Sequence, residues 1–163
     1  MSPPVRVIFD TNVYVQTMLN KSGIAGQCFD HALAGSIQLF VSRNILAEFR
    51  TVIRRPTFSR FLPDLTVDDI EAFITAIGEV AEIIRVPSGS VEIVRDAKDN
   101  MILELAELCG PDFIVSWDRD LLDLTTGFDT ASKEFRQRFR HLTIVRPNEF
   151  LKIISETGLT LAP

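Results

Sequence analysis

Short apolar runs alternate along the chain with longer amphipathic stretches. Residues 5–9, 37–41, 82–86, 113–115 and 143–145 are brief and apolar, with β-branched side chains frequent among them, which predicts buried strands. Between them lie helical patterns over residues 13–19 and 25–34, separated by Lys21-Ser22-Gly23. A third pattern starts at Ser42, a predicted N-cap, with apolar positions Ile45, Leu46, Phe49, Val52 and Ile53, and Pro56 is expected to end it. Thr66 opens the clearest helix, with stripe Val67, Ile70, Phe73, Ile74, Ile77, Val80 and Ala81, and Asp69 standing where a capping box places its acid. Residues 98–109 form another, with Met101, Ile102, Leu105, Ala106 and Cys109 inward. Pro147 sits where the first turn of the last helix tolerates proline.

The resulting order is β-α-α-β-α-α-β-α-β-insert-β-α. Strands separated by helices predict a mostly parallel sheet covered on both faces, a three-layer α/β/α sandwich. Sites in such sheets form at the carboxyl ends of strands, beside a topological switch point.

The chain has 163 residues, of which 46% are apolar and 24% charged, so one globular domain over residues 1–163 is expected. No apolar run exceeds three residues, which excludes a membrane-spanning helix. No secretory leader is visible at residues 1–9, so the cytoplasm is the default expectation. Cys28 and Cys109 lie on apolar stripes and are read as buried, reduced thiols. Net charge is −5, yet residues 1–61 carry seven Lys/Arg against three acids and residues 62–163 ten against nineteen. Net charge therefore does not exclude a local polyanion-binding patch.

The candidate chemistry is acidic. Asp10 follows the first strand directly, and Asp118 follows Phe113-Ile114-Val115-Ser116-Trp117, with Asp120 two residues on. Asp96 and Asp99 stand at the start of the helix over 98–109. Asp99 is three residues before Ile102, on the inward stripe. Glu48 lies at the edge of the buried stripe of its helix. Taken singly, each has an ordinary role: Asp96 as a helix cap, Asp10 and Asp118 as turn residues, Glu48 as a solvated side chain. Together they come from four separate elements and would meet at one sheet edge. Four gathered carboxylates repel one another, and no lysine is spaced in sequence to neutralise them. A divalent cation with hard oxygen ligands, Mg²⁺ or Mn²⁺, would remove the penalty and suits phosphodiester hydrolysis. His31 and His141 lie away from every acidic position.

These residues resemble a known family. Val5-Arg6-Val7-Ile8-Phe9-Asp10-Thr11-Asn12-Val13 is similar to the opening strand of PIN domains. Ser42 with Glu48 resembles the second motif. Arg95-Asp96-Ala97-Lys98-Asp99-Asn100, followed by Ile102, Leu103 and Ala106, resembles the third. Ser116-Trp117-Asp118-Arg119-Asp120-Leu121-Leu122 resembles the fourth, and Arg146-Pro147-Asn148-Glu149-Phe150-Leu151 the closing segment. The resemblance covers residues 5–154 and is nearest to the bacterial subgroup of toxin–antitoxin toxins. It implies a metal-dependent endoribonuclease acting on single-stranded RNA, with Asp10, Glu48, Asp99 and Asp118 as catalytic, metal-site acids and Asp120 as an auxiliary acid. Asn12, Ser42, Asp96 and Ser116 would hold those acids in place. A cognate antitoxin is an implied partner, and the apolar surface between Leu62 and Ala81 offers a face for a homodimer.

Three features depart from the family pattern. Trp117 stands where a small or polar residue is usual, open to stacking on a base or to closing the core edge. Gln16 replaces a small residue. Residues 126–141 form a longer connection than usual, which suggests a functional or mobile segment. Positive ground for a phosphate backbone is expected from Arg50, Arg54, Arg55 and Arg60 and from the run holding Lys133, Arg136, Arg138 and Arg140. Phe135 and Phe139, four apart, are read as anchors of a short amphipathic helix rather than base platforms. The rival readings are a non-catalytic PIN-like module that binds RNA or a partner, a metal-stabilised domain without turnover, and a phosphatase with Asp10 as nucleophile. The phosphatase is weakened because Asn12 stands where a second Asp is usual.

Overall fold

A computed structural model describes residues 3–87 and 89–157. Five parallel strands, β1 (Val5–Phe9), β2 (Ile37–Ser42), β3 (Ala81–Ile84), β4 (Phe113–Val115) and β5 (Thr143–Val145), form one sheet in the order β3-β2-β1-β4-β5. The chain steps outward from β1 to β2 and β3, then returns across to β4 and β5. The switch point therefore lies between the carboxyl ends of β1 and β4.

Among the described residues there are nine helices: α1 (Thr11–Leu19), α2 (Ile24–Leu33), α3 (Arg43–Val52), α4 (Pro56–Ser59), α5 (Val67–Val80), α6 (Ala97–Cys109), α7 (Arg119–Thr126), α8 (Thr130–Arg138) and α9 (Pro147–Glu156). Right-handed crossovers place α1–α5, which connect strands in one direction, on one face of the sheet. They place α6–α8, which connect strands in the other direction, on the opposite face. α9 returns to the first face and packs on α2. The three-layer α/β/α expectation holds.

Val7, Ile8 and Phe9 of the central strand are fully buried, as a strand covered on both faces requires. On the first face a series of tilted and edge-on aromatic contacts runs from Phe150 through Phe9, Tyr14, Phe29 and Phe73 to Phe49, at centroid distances of 5.4–6.4 Å. It ties α1, α2, α3, α5 and α9 to β1. Cys28 and Cys109 are both free and buried.

Two local expectations are corrected. β3 begins and ends earlier than 82–86, because its pairing with β2 runs only from Leu39–Ala81 to Ser42–Ile84, where β2 stops. Pro56 does not end α3, which stops at Val52; it opens the single turn α4. The segment 126–141 holds a short helix, as the Phe135–Phe139 spacing predicts: α7 ends in it and α8 fills most of it. Phe135 of α8 is buried and stacked against Phe139 at 5.4 Å. The α7–α8 corner is tight, with Gly127 N–H donating to the Asp123 carbonyl at 2.7 Å and Asp129 capping α8 through Ser132 N–H.

Candidate metal centre

Each candidate acid is placed by a helix start or a helix face beside the switch point. Asp10 follows β1 directly and caps α1: its backbone N–H donates to the Val115 carbonyl (2.9 Å), and its carboxylate accepts from Thr11 N–H (2.7 Å). Ser116, one residue past β4, donates its hydroxyl to the other Asp10 oxygen (2.7 Å) and accepts from Asp118 N–H (2.9 Å). One buried serine thus fixes two acids on neighbouring strand ends. Asp118 caps α7 and accepts from Asp120 N–H (2.9 Å). Asp99, in the first turn of α6, is buried. Glu48, on α3, accepts a short hydrogen bond from the Thr11 hydroxyl (2.6 Å).

The structure brings Asp10, Glu48, Asp99 and Asp118 to the walls of one cleft of about 210 Å³, which Asp96, Asn12, Lys98 and Arg55 also line. At its edge, oxygens of Asp99 and Asp118 lie within 4.8 Å of one another and of an oxygen of Asp120, which lines the adjoining groove. Asp10 and Glu48 stand outside that tightest group. Burial pushes the Asp10 carboxyl up to about 6, against the lowering pull of the Ser116 and Thr11 hydrogen bonds, and the charges of Glu48 and Asp118 add to the rise. Asp99 is also raised, first by burial and then by the negative charges of Asp118, Asp96 and Asp10. The donor set is all hard oxygen, with mutual repulsion left uncompensated at its centre. That is the chemistry a small divalent cation fits.

The supporting residues differ in part from expectation. Ser116 donates its hydroxyl to Asp10. Ser42 instead caps α3 through Ile45 N–H (3.1 Å), and so positions the helix that carries Glu48 rather than the acid itself. Asp96 caps α6 through Lys98 N–H (2.9 Å). Asn12 is exposed at the cleft rim and, among the described residues, makes no hydrogen bond to an acid. Thr11 performs the role expected of Asn12. Lys98 was also not foreseen: its ammonium lies 3.5 Å from one Glu48 oxygen, with its side chain 52% exposed, so a lysine does offset one acid at the rim. Pairs between separate elements leave no spacing in the sequence, and only the fold shows this one. Trp117 is half-buried, its indole N–H enclosed without a partner among the described residues.

Of the residues expected to meet RNA, Arg55 lines the acid cleft. Arg50 is committed to a two-point pair with Glu71 of α5 (2.7 and 3.0 Å), and Arg54 acts on the same glutamate. Arg60 lies over the Phe61 ring. Arg136 donates to the Leu124 and Thr125 carbonyls at the end of α7, while Lys133 is exposed on α8. Arg138 pairs with Glu107 and donates to the Ser90 carbonyl, fastening α8 to the segment before α6. That segment is held again by Asn100, whose side chain accepts from Ile93 and Val94 N–H and donates to the Val94 carbonyl.

A family model for the PIN domain matches residues 6–120, from the first strand through Asp120. The chain is also 27% identical over 148 residues to Uncharacterized protein MJ1680 of Methanocaldococcus jannaschii, covering 91% of this chain and 90% of that protein. The match spans every acid gathered at the switch point, and this chain belongs to the PIN domain family.

Proposed function

We propose that this protein is a divalent-metal-dependent endoribonuclease that hydrolyses phosphodiester bonds of single-stranded RNA, with Asp10, Glu48, Asp99 and Asp118 as its metal-site acids and Asp120 as an auxiliary. PIN domains are usually nucleases, which sets the reaction class. The observation that carries the finer reading is the convergence of four acids from four elements at the β1–β4 switch point, with Asp10 and Asp99 each raised first by burial and then by neighbouring carboxylates. A Mg²⁺ or Mn²⁺ ion held by these carboxylates would polarise the phosphodiester and acidify a water.

The chain's own residues preorganise the site. Ser116 ties Asp10 to the turn that presents Asp118, and Thr11 ties Glu48 to the end of β1. The donor oxygens are therefore set before any ion arrives, which spares the cost of ordering them. Incubating the purified protein with an end-labelled unstructured RNA tests the reading. Cleavage is expected with Mn²⁺ or Mg²⁺, and none is expected with EDTA or in Asp99→Asn. Cleavage that survives chelation would contradict it.

One observation favours a second reading, a non-catalytic module that binds RNA or a partner: the Lys98 ammonium stands 3.5 Å from Glu48 and offsets part of the acidic charge. Under that reading Mn²⁺ would bind weakly and Asp99→Asn would leave RNA binding intact. The biological setting we infer is the toxin half of a toxin–antitoxin pair. Expression of the wild type, but not of Asp99→Asn, should arrest growth, and co-expression of the neighbouring gene's product should relieve the arrest.

A further inference from the structure

Three surfaces adjoin or neighbour the acid cleft, and they differ sharply in charge. A groove of about 640 Å³ between the segment before α6 and the α7–α8 corner carries Asp96, Asp99, Asp120, Asp123, Asp129 and Glu134 against Arg95. Asp99 and Asp120 belong to the proposed metal site, but Asp96, Asp123, Asp129 and Glu134 would still repel a phosphodiester chain laid along the groove. Lys133 and Arg136 of α8, with Arg140 just past its end, line a depression of about 480 Å³. Thr130, Ala131, Ser132 and Glu134 of the same helix line the acidic groove, so a strand on those cations reaches the acids only by crossing it.

The third surface lies between α3 and α6. There a depression of about 290 Å³, lined by Asn44, Thr51, Met101, Arg55 and Lys98, shares Glu48, Val52, Arg55 and Lys98 with the acid cleft. Arg55 is exposed and makes no ion pair among the described residues. The Lys98 side chain is half exposed, its ammonium near one Glu48 oxygen, while Thr11 holds the other. The two cations thus stand at the junction of the open depression and the buried acids. Val52 and the half-buried Phe58 and Met101 add apolar surface beside them.

We propose that Arg55 and Lys98 form the phosphate-binding track by which a single-stranded RNA reaches the acids, entering between α3 and α6 rather than over α8. The assignment rests on the nuclease reading and adds the direction of approach. Neither residue touches the reacting atoms in this account; both are positioning residues that hold the backbone.

Binding of a dye-labelled twelve-nucleotide oligouridylate, followed by fluorescence anisotropy across a salt series, tests it. The Asp10→Asn background in Mg²⁺ buffer keeps the strand uncut. Arg55→Gln and Lys98→Gln should each weaken binding about fivefold at low salt and flatten the salt slope by roughly 0.7. Lys98→Arg should retain binding, which shows that the positive charge carries it, and the flattened salt slope of Lys98→Gln separates a phosphate contact from a role confined to steadying Glu48. The double variant Lys133→Gln, Arg140→Gln should change affinity less than about twofold. If that double variant loses more than Arg55→Gln and Lys98→Gln, or if the latter bind as the parent does, the track is wrong. Metal-dependent cleavage of the same oligonucleotide by the wild type would then leave the nuclease reading standing. A wild type that neither binds nor cuts it would overturn both.

Discussion

Ser116 and Thr11 decide how the acids are held, and both act through single hydroxyls. Ser116→Ala leaves one buried Asp10 oxygen and the Asp118 N–H without their partners, at a cost of about 1–3 kcal/mol. Because the serine aligns two candidate ligands, the variant should also bind Mn²⁺ about 10–100-fold more weakly, measured by titration calorimetry. An unchanged affinity would mean that Asp10 and Asp118 are not ligands of one site. Asp96 gives a contrasting case. As the α6 cap, its replacement by alanine should lower stability by about 1 kcal/mol in thermal denaturation and spare most of the cleavage rate. A rate loss as deep as that of Asp99→Ala would make Asp96 a ligand instead. The acids at strand ends were legible in the sequence, since a short buried run followed at once by Asp marks a sheet edge. The Thr11–Glu48 and Lys98–Glu48 contacts were not, because each joins elements distant along the chain.

Among the elements, the helices that carry the acids followed from apolar spacing and caps, as with Ser42 before α3 and the Thr66–Asp69 capping box of α5. α7 escaped because it is eight residues long and its buried Leu121, Leu122 and Leu124 sit within a motif that reads as chemistry. α8 was legible only as a short amphipathic helix anchored by Phe135 and Phe139, without bounds, because its charged residues outnumber its anchors. Its hold on the molecule is Phe135, buried against Phe139, and Arg138, bonded to Ser90 and Glu107. Phe135→Ala should therefore destabilise the protein by about 3–5 kcal/mol in chemical denaturation. A change below about 1 kcal/mol would show that α8 is not anchored as described. Asn100 closes the segment before α6 with three hydrogen bonds. Asn100→Ala should raise hydrogen exchange at Ile93 and Val94 selectively, and exchange rates unchanged there would remove it from that role.

For the molecule as a whole, the sheet order brings the ends of β1 and β4 side by side, and the fold carries a stability penalty at that point. Between 3.8 and about 6 the folded chain keeps a proton on Asp10 that the unfolded chain has released. Stability of the metal-free protein therefore falls as pH rises through that window, by on the order of 3 kcal/mol, and the raised Asp99 carries the decline further. Chelated protein should melt lower near pH 8 than near pH 5, and the increment in Tm given by Mn²⁺ should grow over the same span. Asp99→Asn should raise the chelated Tm near pH 8 while removing the metal increment. The most direct test is calorimetric titration of the chelated wild type and of Asp99→Asn with Mn²⁺ near neutral pH. Saturable binding with proton release in the wild type, lost in Asp99→Asn, is the predicted result; a wild type that takes up neither Mn²⁺ nor Mg²⁺ would contradict the account at its base.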